Sequence, residues 1–327
     1  MRAAIYDRTG AARDVLRITE TPTPEPGPGE VRVRLAWSGV NPSDVKARAG
    51  TRSRTLPFPQ IIPHSDGAGT IDAGGDDVSR GRVGERVWLW NAAWGRPFGT
   101  AAEYIVLPAN QVAPLPDNVE FEVGACLGIP ALTAYHAATV DGGVAGKTVL
   151  VAGGAGAVGH YAIQFARLKG AKQILATVSS PEKAAHAKAA GADVVLNYRS
   201  EDVVARVQAE TQERGVDRII EVDFGANVAL DLQVLRRDGD IVVYGSNAPE
   251  ISVPFLPMIL KNVRARFFIV YNLSDADRTH AIGALTSMLN RNQLQHAIAA
   301  RLPLERIADA HELVEQGRAI GNVVLHT

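Results

Sequence analysis

The sequence predicts an α/β protein in which a β-rich, barrel-like region precedes a Rossmann parallel sheet. Three observations carry this. The stretch Thr148–Ala171 reads TVLVAGGAGAVGHYAIQFARLKGA, an apolar strand, a glycine-rich turn and an amphipathic helix in immediate succession. Beyond it, short apolar strands alternate with helical patterns, which implies parallel strands with helices on both faces. Before it, up to about Val123, strand patterns and Gly- or Pro-rich turns follow one another, as in a barrel.

Taken in order, Met1–Tyr6 and Val31–Trp37 read as strands. The prolines of Thr21–Glu30 impose an extended connection between them. Asn41–Ala49 reads as a short helix, and Gly67–Asp72 and Arg86–Leu89 as strands. From Ala125 the texture becomes α/β. The glycine turn has Gly154, Gly156 and Gly159 in GxGxxG spacing, and Val158, Ala162, Phe165, Ala166 and Leu168 lie on the apolar side of the helix that follows. Strands Gln173–Val178, Val194–Leu196, Val216–Val222 and Asp240–Tyr244 then alternate with helices Pro181–Ala190, Ser200–Arg214 and Ala226–Arg236. Arg264–Asn272 is a further apolar strand, and helices Asp275–Arg291 and Leu304–Gln316 precede a last strand, Asn322–His326.

Composition narrows the function. The chain has 327 residues, a net charge of −1 and 46% hydrophobic residues, so nothing favours nucleic acid or an anionic membrane surface. Its one cysteine, Cys126, excludes an internal disulfide framework and any cysteine-rich metal cluster. The N-terminus MRAAIYDRTG carries no apolar signal region, and no apolar run approaches the ~20 residues of a membrane span, which leads to the expectation of a cytoplasmic protein.

A GxGxxG between strand and helix points to a dinucleotide site rather than a glycine-rich turn without a ligand: Gly154 for the tight turn, Gly156 for close approach of a pyrophosphate, and Gly159 for helix-to-strand packing. Ala157 and Val158 open the helix, whose unpaired N–H groups and positive dipole end suit phosphate. A site for NAD places a carboxylate about 20 residues further on. Here that strand end reads Thr177-Val178-Ser179-Ser180-Pro181-Glu182-Lys183, and Tyr198-Arg199 ends the next strand. Hydroxyls and cations suit a 2′-phosphate, so the pattern favours NADPH. Ser179 and Ser180 also fit a helix cap before Pro181, and the two readings are compatible.

Several further motifs stand in one order: Gly39-Val40-Asn41-Pro42-Ser43-Asp44, Pro63-His64-Ser65-Asp66-Gly67-Ala68-Gly69, Gly128-Ile129-Pro130-Ala131-Leu132-Thr133-Ala134-Tyr135, Asn197-Tyr198-Arg199 and Ala310-His311-Glu312. With them the whole chain resembles the zinc-independent quinone oxidoreductases, the zeta-crystallin type, of the medium-chain dehydrogenase/reductase superfamily. The resemblance implies a GroES-like β-barrel catalytic domain from residues 1–124 and 272–327, a Rossmann domain from 125–271, and a cofactor in the cleft between them. It implies that Asn41, Asp44, Pro130 and Thr133 surround the nicotinamide ribose and ring, and that Gly245, Ser246 and Asn322 add contacts. Lys183, Tyr198 and Arg318 would surround the 2′-phosphate, with Ser179 where the family often has glycine. Zinc-containing relatives place Cys, His and Cys where this chain has Asn41, Ser65 and Ile129. No thiolate is available there, so no metal is expected, and His64 reads as a structural hydrogen-bonder.

The reaction expected from this resemblance is hydride transfer from NADPH to a quinone or other conjugated carbonyl. Without a metal, charge on the acceptor oxygen falls to Asn41, backbone groups, water, or Lys46 turned inward. Lys46 and Arg52 stand where the family often has tyrosines facing the quinone, and both are counted with Asn41 as catalytic candidates. Trp88, Trp90 and Trp94 lie in one short span, either as a pocket wall for a flat acceptor or as partial core. Enoyl-thioester or enone reduction is the alternative within the same chemistry. A non-catalytic NADPH-binding protein, crystallin-like or RNA-binding, is the alternative outside it, with the near-neutral charge set against RNA. Finally, Arg264–Asn272 comes after the strand Asp240–Tyr244 and is expected at a sheet edge. There it pairs with its own copy in a homodimer that buries Phe267, Phe268, Ile269 and Val270, unless the helix Asp275–Arg291 covers it.

Overall fold

A computed structural model describes residues 1–51 and 53–327, and divides the chain into two units, Met1–Pro130 with Ile282–Thr327, and Ala131–Ala281. The first unit is built on one long strand, Glu30–Val40. Its alternation of Val31, Val33 and Leu35 with Arg32 and Arg34 buries the apolar set. Asp66–Gly74 pairs along it antiparallel. Its first half also pairs with Tyr104–Pro108 and its last residues with Asn322–His326. Arg86–Leu89, Val112–Pro114 and Ile298–Pro303 complete a seven-stranded sheet. The C-terminal return is therefore part of this unit's core, where Leu304, Ile307, Ala310, Val323 and Leu325 pack with Ala3, Ile5, Val40, Val45 and Ile62.

The second unit has six parallel strands. In spatial order they are Val194–Asn197, Gln173–Val178, Thr148–Val151, Val216–Glu221, Leu235–Val243 and Arg264–Phe267. Numbered along the chain this is 3-2-1-4-5-6, the dinucleotide-binding order, with its reversal beside the strand that precedes the glycine turn. Helix Ala157–Leu168 follows that turn and buries Tyr161, Ala162, Phe165 and Ala166, whereas Leu168, expected on the apolar side, is 42% exposed at the helix end.

Other differences from the sequence-based expectations are local. The strand expected over Arg264–Asn272 stops at Phe267 and passes into a 3-10 turn at Val270–Asn272, in which Val270 and Tyr271 are buried. Val270 is thus already covered by its own chain. Sequence periodicity did not mark the helices Leu132–Thr139 and Phe255–Leu260 or the strand Ile298–Pro303. Trp88 is fully buried and Trp90 is 9% exposed, so two of the three clustered indoles are core. Trp94, at 45%, is the one on the surface.

Candidate functional site

In the second unit, chain reversal at the turn falls to Gly153, whose φ of 67° lies in the left-handed region, and not to Gly154. Gly153 N donates to Thr177 Oγ1 at 3.1 Å and Gly154 N to Thr177 O at 2.9 Å, which clamps the turn onto the neighbouring strand. The three glycines of the motif are then distinguished by what a side chain would meet. A Cβ on Gly154 would lie 2.8 Å from Ala176 Cβ, and one on Gly159 would lie 2.2 Å from Gly153 O. Both are glycine because the protein itself fills the space. A Cβ on Gly156 would meet only Gly153 O, at an ordinary 3.4 Å. The fold does not need glycine there, and Gly156 is exposed as the N-cap of a twelve-residue helix with no side-chain cap. The first-turn amides of Ala157, Val158 and Gly159 have no carbonyl four residues back inside the helix. A backbone cradle left open at a helix N-terminus fits a pyrophosphate.

The neighbouring strand ends assemble the rest of this unit's predicted residues. Tyr198 N donates to Val178 O at 3.1 Å, so Tyr198, 53% exposed, stands beside Ser179. Ser180 Oγ accepts from Lys183 N at 3.3 Å, which is the helix-cap reading of that serine, while Ser179 and Lys183 are half-buried. Gly245 lies just past Val243, its O accepting from Phe224 N at 3.1 Å, and a Cβ there would meet Val222 O at 2.3 Å. Ser246 Oγ donates to Ala248 O at 2.9 Å. All of these lie at the carboxyl ends of parallel strands, where open α/β sheets bind ligands. Thr133 is buried in the helix Leu132–Thr139.

The first unit gathers a different set. Asn41 is 3% exposed and caps the helix Pro42–Ala49. Its N donates to Asp44 Oδ2 at 2.8 Å and its side chain accepts from the Asp44 N–H, a reciprocal capping box. Asp44 therefore serves the helix start. Asn41 Nδ2 donates to Asp66 Oδ2 at 2.9 Å, and Ile129 N donates to the same oxygen at 3.0 Å. In the ladder Val323 lies opposite Val40, which sets the buried Asn322 level with Asn41. Asn322 Nδ2 donates to Ala297 O at 3.0 Å. Pro130 is buried next to Ile129, Lys46 is half-buried on the capped helix, and Arg318 is exposed in the stretch before the last strand. Arg52 lies outside the described residues.

His64 belongs to a buried chain of hydrogen bonds whose directions follow from its far end. Thr100 Oγ1 donates to Asp66 O at 2.5 Å, so it accepts from Ser38 Oγ at 2.8 Å. Ser38 in turn accepts from His64 Nδ1 at 2.8 Å, and the bare Nε2 of neutral His64 accepts from His311 Nε2 at 2.9 Å. Burial pushes the His64 pKa down to about 3 and that of His311 well below the usual range, so both rings are neutral. Sequence reasoning assigned no role to Thr177 and Asp66, which stand inside quoted stretches, or to Ser38, which precedes the Gly39 motif; a hydroxyl or carboxyl in or beside a motif was the signal available for each.

Among the described residues no group of three or more His, Cys, Asp or Glu could hold a metal ion, and no helix is long and apolar enough to cross a membrane. A six-stranded parallel sheet with an open glycine turn, joined in one chain to a sheet of GroES-like type, defines a medium-chain dehydrogenase/reductase. Comparison with known proteins agrees. Residues 27–117 match the alcohol dehydrogenase GroES-like domain, and residues 157–287 match the domain described as zinc-binding dehydrogenase. Human quinone oxidoreductase is 33% identical over 292 residues, covering 88% of this chain and 86% of that one. Among solved structures, an NAD-dependent alcohol dehydrogenase superposes with a TM-score of 0.89 at 29% identity, and Escherichia coli quinone oxidoreductase complexed with NADPH with 0.89 at 25%. Each covers 100% of both chains. The chain belongs to the quinone oxidoreductase family of this superfamily. Where the resemblance places the ligands of zinc-containing relatives, this chain has Asn41, Ser65 and Ile129, none of which supplies a thiolate.

Proposed function

We propose that this chain is an NADPH-dependent oxidoreductase that delivers hydride to a quinone or a related conjugated carbonyl without a metal. The observation that carries the reading is Gly156: a glycine that the fold does not require, exposed at an uncapped helix start. The amides of Ala157, Val158 and Gly159 receive the pyrophosphate there. The absence of a carboxylate at the end of Gln173–Val178, together with Ser179, Lys183 and Tyr198, supports the 2′-phosphate of NADPH over the bare ribose of NADH. Gly245, Ser246, Thr133, Pro130, Asp44, Arg318 and Asn322 remain assigned to the cofactor on the family pattern.

When bound, NADPH supplies the hydride; the protein's share is orientation and charge stabilisation. Asn41 has its side-chain oxygen on the Asp44 amide and one Nδ2 proton on Asp66, so its second Nδ2 proton is the donor assigned to the acceptor oxygen. Lys46, on the helix that Asn41 caps, is assigned as a cationic neighbour, and Arg52 stays a candidate on the resemblance alone. With so few donors, an acceptor that delocalises its charge is favoured, and a quinone or enone does so where a simple ketone does not. An aromatic acceptor is also supported by Trp94 and Phe98, 45% and 55% exposed, on a loop bonded to the Asp66 motif through Ala92 N to Ser65 O at 3.1 Å and Ile62 N to Pro97 O at 2.8 Å. The test is stopped-flow oxidation of NADPH with a panel of quinones and enones. Turnover above the uncatalysed rate with quinones is expected, and none with any acceptor contradicts the reading.

The protein is further proposed to form a homodimer. Strand Arg264–Phe267 is the outer strand of its sheet, and all four of its residues are exposed. The helix just before it exposes Phe255, Leu256, Ile259 and Leu260, each by more than half, and Phe267 is 58% exposed. An apolar face continuous with an unpaired strand edge fits a second copy of itself across a two-fold axis.

A further inference from the structure

We propose that Asp66 is a positioning residue for the reaction: it fixes the orientation of the Asn41 amide, and Gly128 provides the room for it to do so. The proposal rests on the reading of Asn41 as the donor to the acceptor oxygen. An asparagine amide can turn over, exchanging oxygen and nitrogen, and only one orientation offers a hydrogen-bond donor. At Asn41 the choice is made from both ends. The Asn41 side-chain oxygen faces the Asp44 N–H in the capping box, an N–H that also donates to Asn41 backbone O at 3.0 Å, while Asp66 Oδ2 takes Nδ2 at 2.9 Å. Asp66 is itself held, because Ile129 N donates to the same Oδ2 at 3.0 Å.

The other carboxyl oxygen shows in what form Asp66 does this. Oδ1 is fully buried and has no hydrogen-bond partner. A Cβ on Gly128 would stand 2.3 Å from Asp66 Oδ1 and 2.6 Å from Leu89 O. Oδ1 is thus close against the Gly128 Cα, with no donor aimed at it. A bare carboxylate oxygen there would have nothing to offset its charge, whereas a carboxylic acid carries none. Burial pushes the acid's pKa well up, in the same direction. A neutral Asp66 still accepts two N–H bonds on Oδ2 and leaves no charge in the wall of the site to oppose charge building on an acceptor oxygen.

An amide has the shape of the acid. Asp66→Asn retains an oxygen for Asn41 and Ile129 and puts an uncharged NH2 where Oδ1 stands, so its kcat is expected within about threefold of wild type. Asp66→Ala removes the constraint and is expected to lower kcat ten- to a hundredfold while changing the KM for NADPH by less than about threefold. Asn41→Ala should lose as much, and the double variant no more than either alone. Because alanine at 66 leaves buried donors unpaired, a second reading is taken on the unaltered, cofactor-free protein by NMR. One Asn41 Nδ2 proton is expected to exchange with solvent far more slowly than those of exposed amides. Rapid exchange of both protons, or losses from Asp66→Ala and Asn41→Ala that multiply, overturns the proposal. So does a hundredfold loss in Asp66→Asn. Full activity in Asn41→Ala overturns instead the assignment of Asn41 on which the proposal stands.

Discussion

The glycine turn and the Asn41 site, the two places proposed to hold cofactor and acceptor, are built from different materials. The turn is backbone. Its amides are set by helix geometry, and the two bonds from Gly153 and Gly154 to Thr177 reach only to the neighbouring strand. The Asn41 site rests on the side chains of Asn41 and Asp66 with the backbone N–H of Ile129, and sheet register with the returning chain end sets Asn322 level with Asn41. A backbone site tolerates change in most of its side chains and fails when one small residue grows. A side-chain site fails by losing a partner far away in sequence.

The largest effect that separates the two is expected within the turn. Gly156→Val should abolish NADPH binding, by a hundredfold or more, with the thermal midpoint nearly unchanged, since its Cβ meets only an ordinary contact. Gly159→Val should instead destabilise the fold by about 3 kcal/mol or more, because its Cβ would fall 2.2 Å from Gly153 O. Calorimetry with and without NADPH distinguishes the two outcomes, and equal loss of stability in both would merge the roles separated above. Next, Lys183→Ala should weaken NADPH about ten- to a hundredfold, the loss of one charge-assisted hydrogen bond or ~1.5–3 kcal/mol, and leave NADH nearly unchanged. Equal weakening of both cofactors would assign the lysine to the fold. At the other edge of the sheet, Phe267→Asp should raise the dimer dissociation constant at least about tenfold in sedimentation runs, and a wild-type monomer at micromolar concentration would refute the dimer.

The smallest effect concerns pH and belongs to the first unit. His64 has a folded pKa of about 3 against about 6.5 unfolded, so the unfolded chain takes up its proton first. Its contribution to stability is complete above pH 6.5 and is lost progressively as pH falls towards 3, about 2 kcal/mol of it by pH 5. His311 is depressed in the same direction. Urea unfolding at pH 7.5 and pH 5 should show the loss, and it should be smaller in His311→Gln. A pH-independent midpoint would mean that the pair is not buried neutral.

Legibility in the sequence followed the same division. The strand, turn and helix at Thr148–Leu168 were readable because their signals are local, and even there the job of the tight turn moved one residue, to Gly153. The end of Arg264–Phe267 was misread because Phe268, Ile269 and Val270 are as apolar as a strand, yet Val270 is buried in a 3-10 turn. The tryptophan span was ambiguous because burial depends on neighbours elsewhere in the chain. Trp88 is core through its pairing with Ala68 and Ala113. Asn41 was found by motif, but its dependence on Asp66 and Ile129 was not, since nothing at positions 41 or 129 announces a shared carboxyl oxygen 25 and 63 residues away.

The most direct measurement of the central claim is a calorimetric titration of the wild-type protein with NADPH and, separately, with NADH. One NADPH per chain should bind, at least about tenfold more tightly than NADH, as one additional charge-assisted contact to the 2′-phosphate requires. Equal affinity for the two would contradict the reading of Ser179, Lys183 and Tyr198, and no binding of either would contradict the assignment of the turn at Gly156 itself.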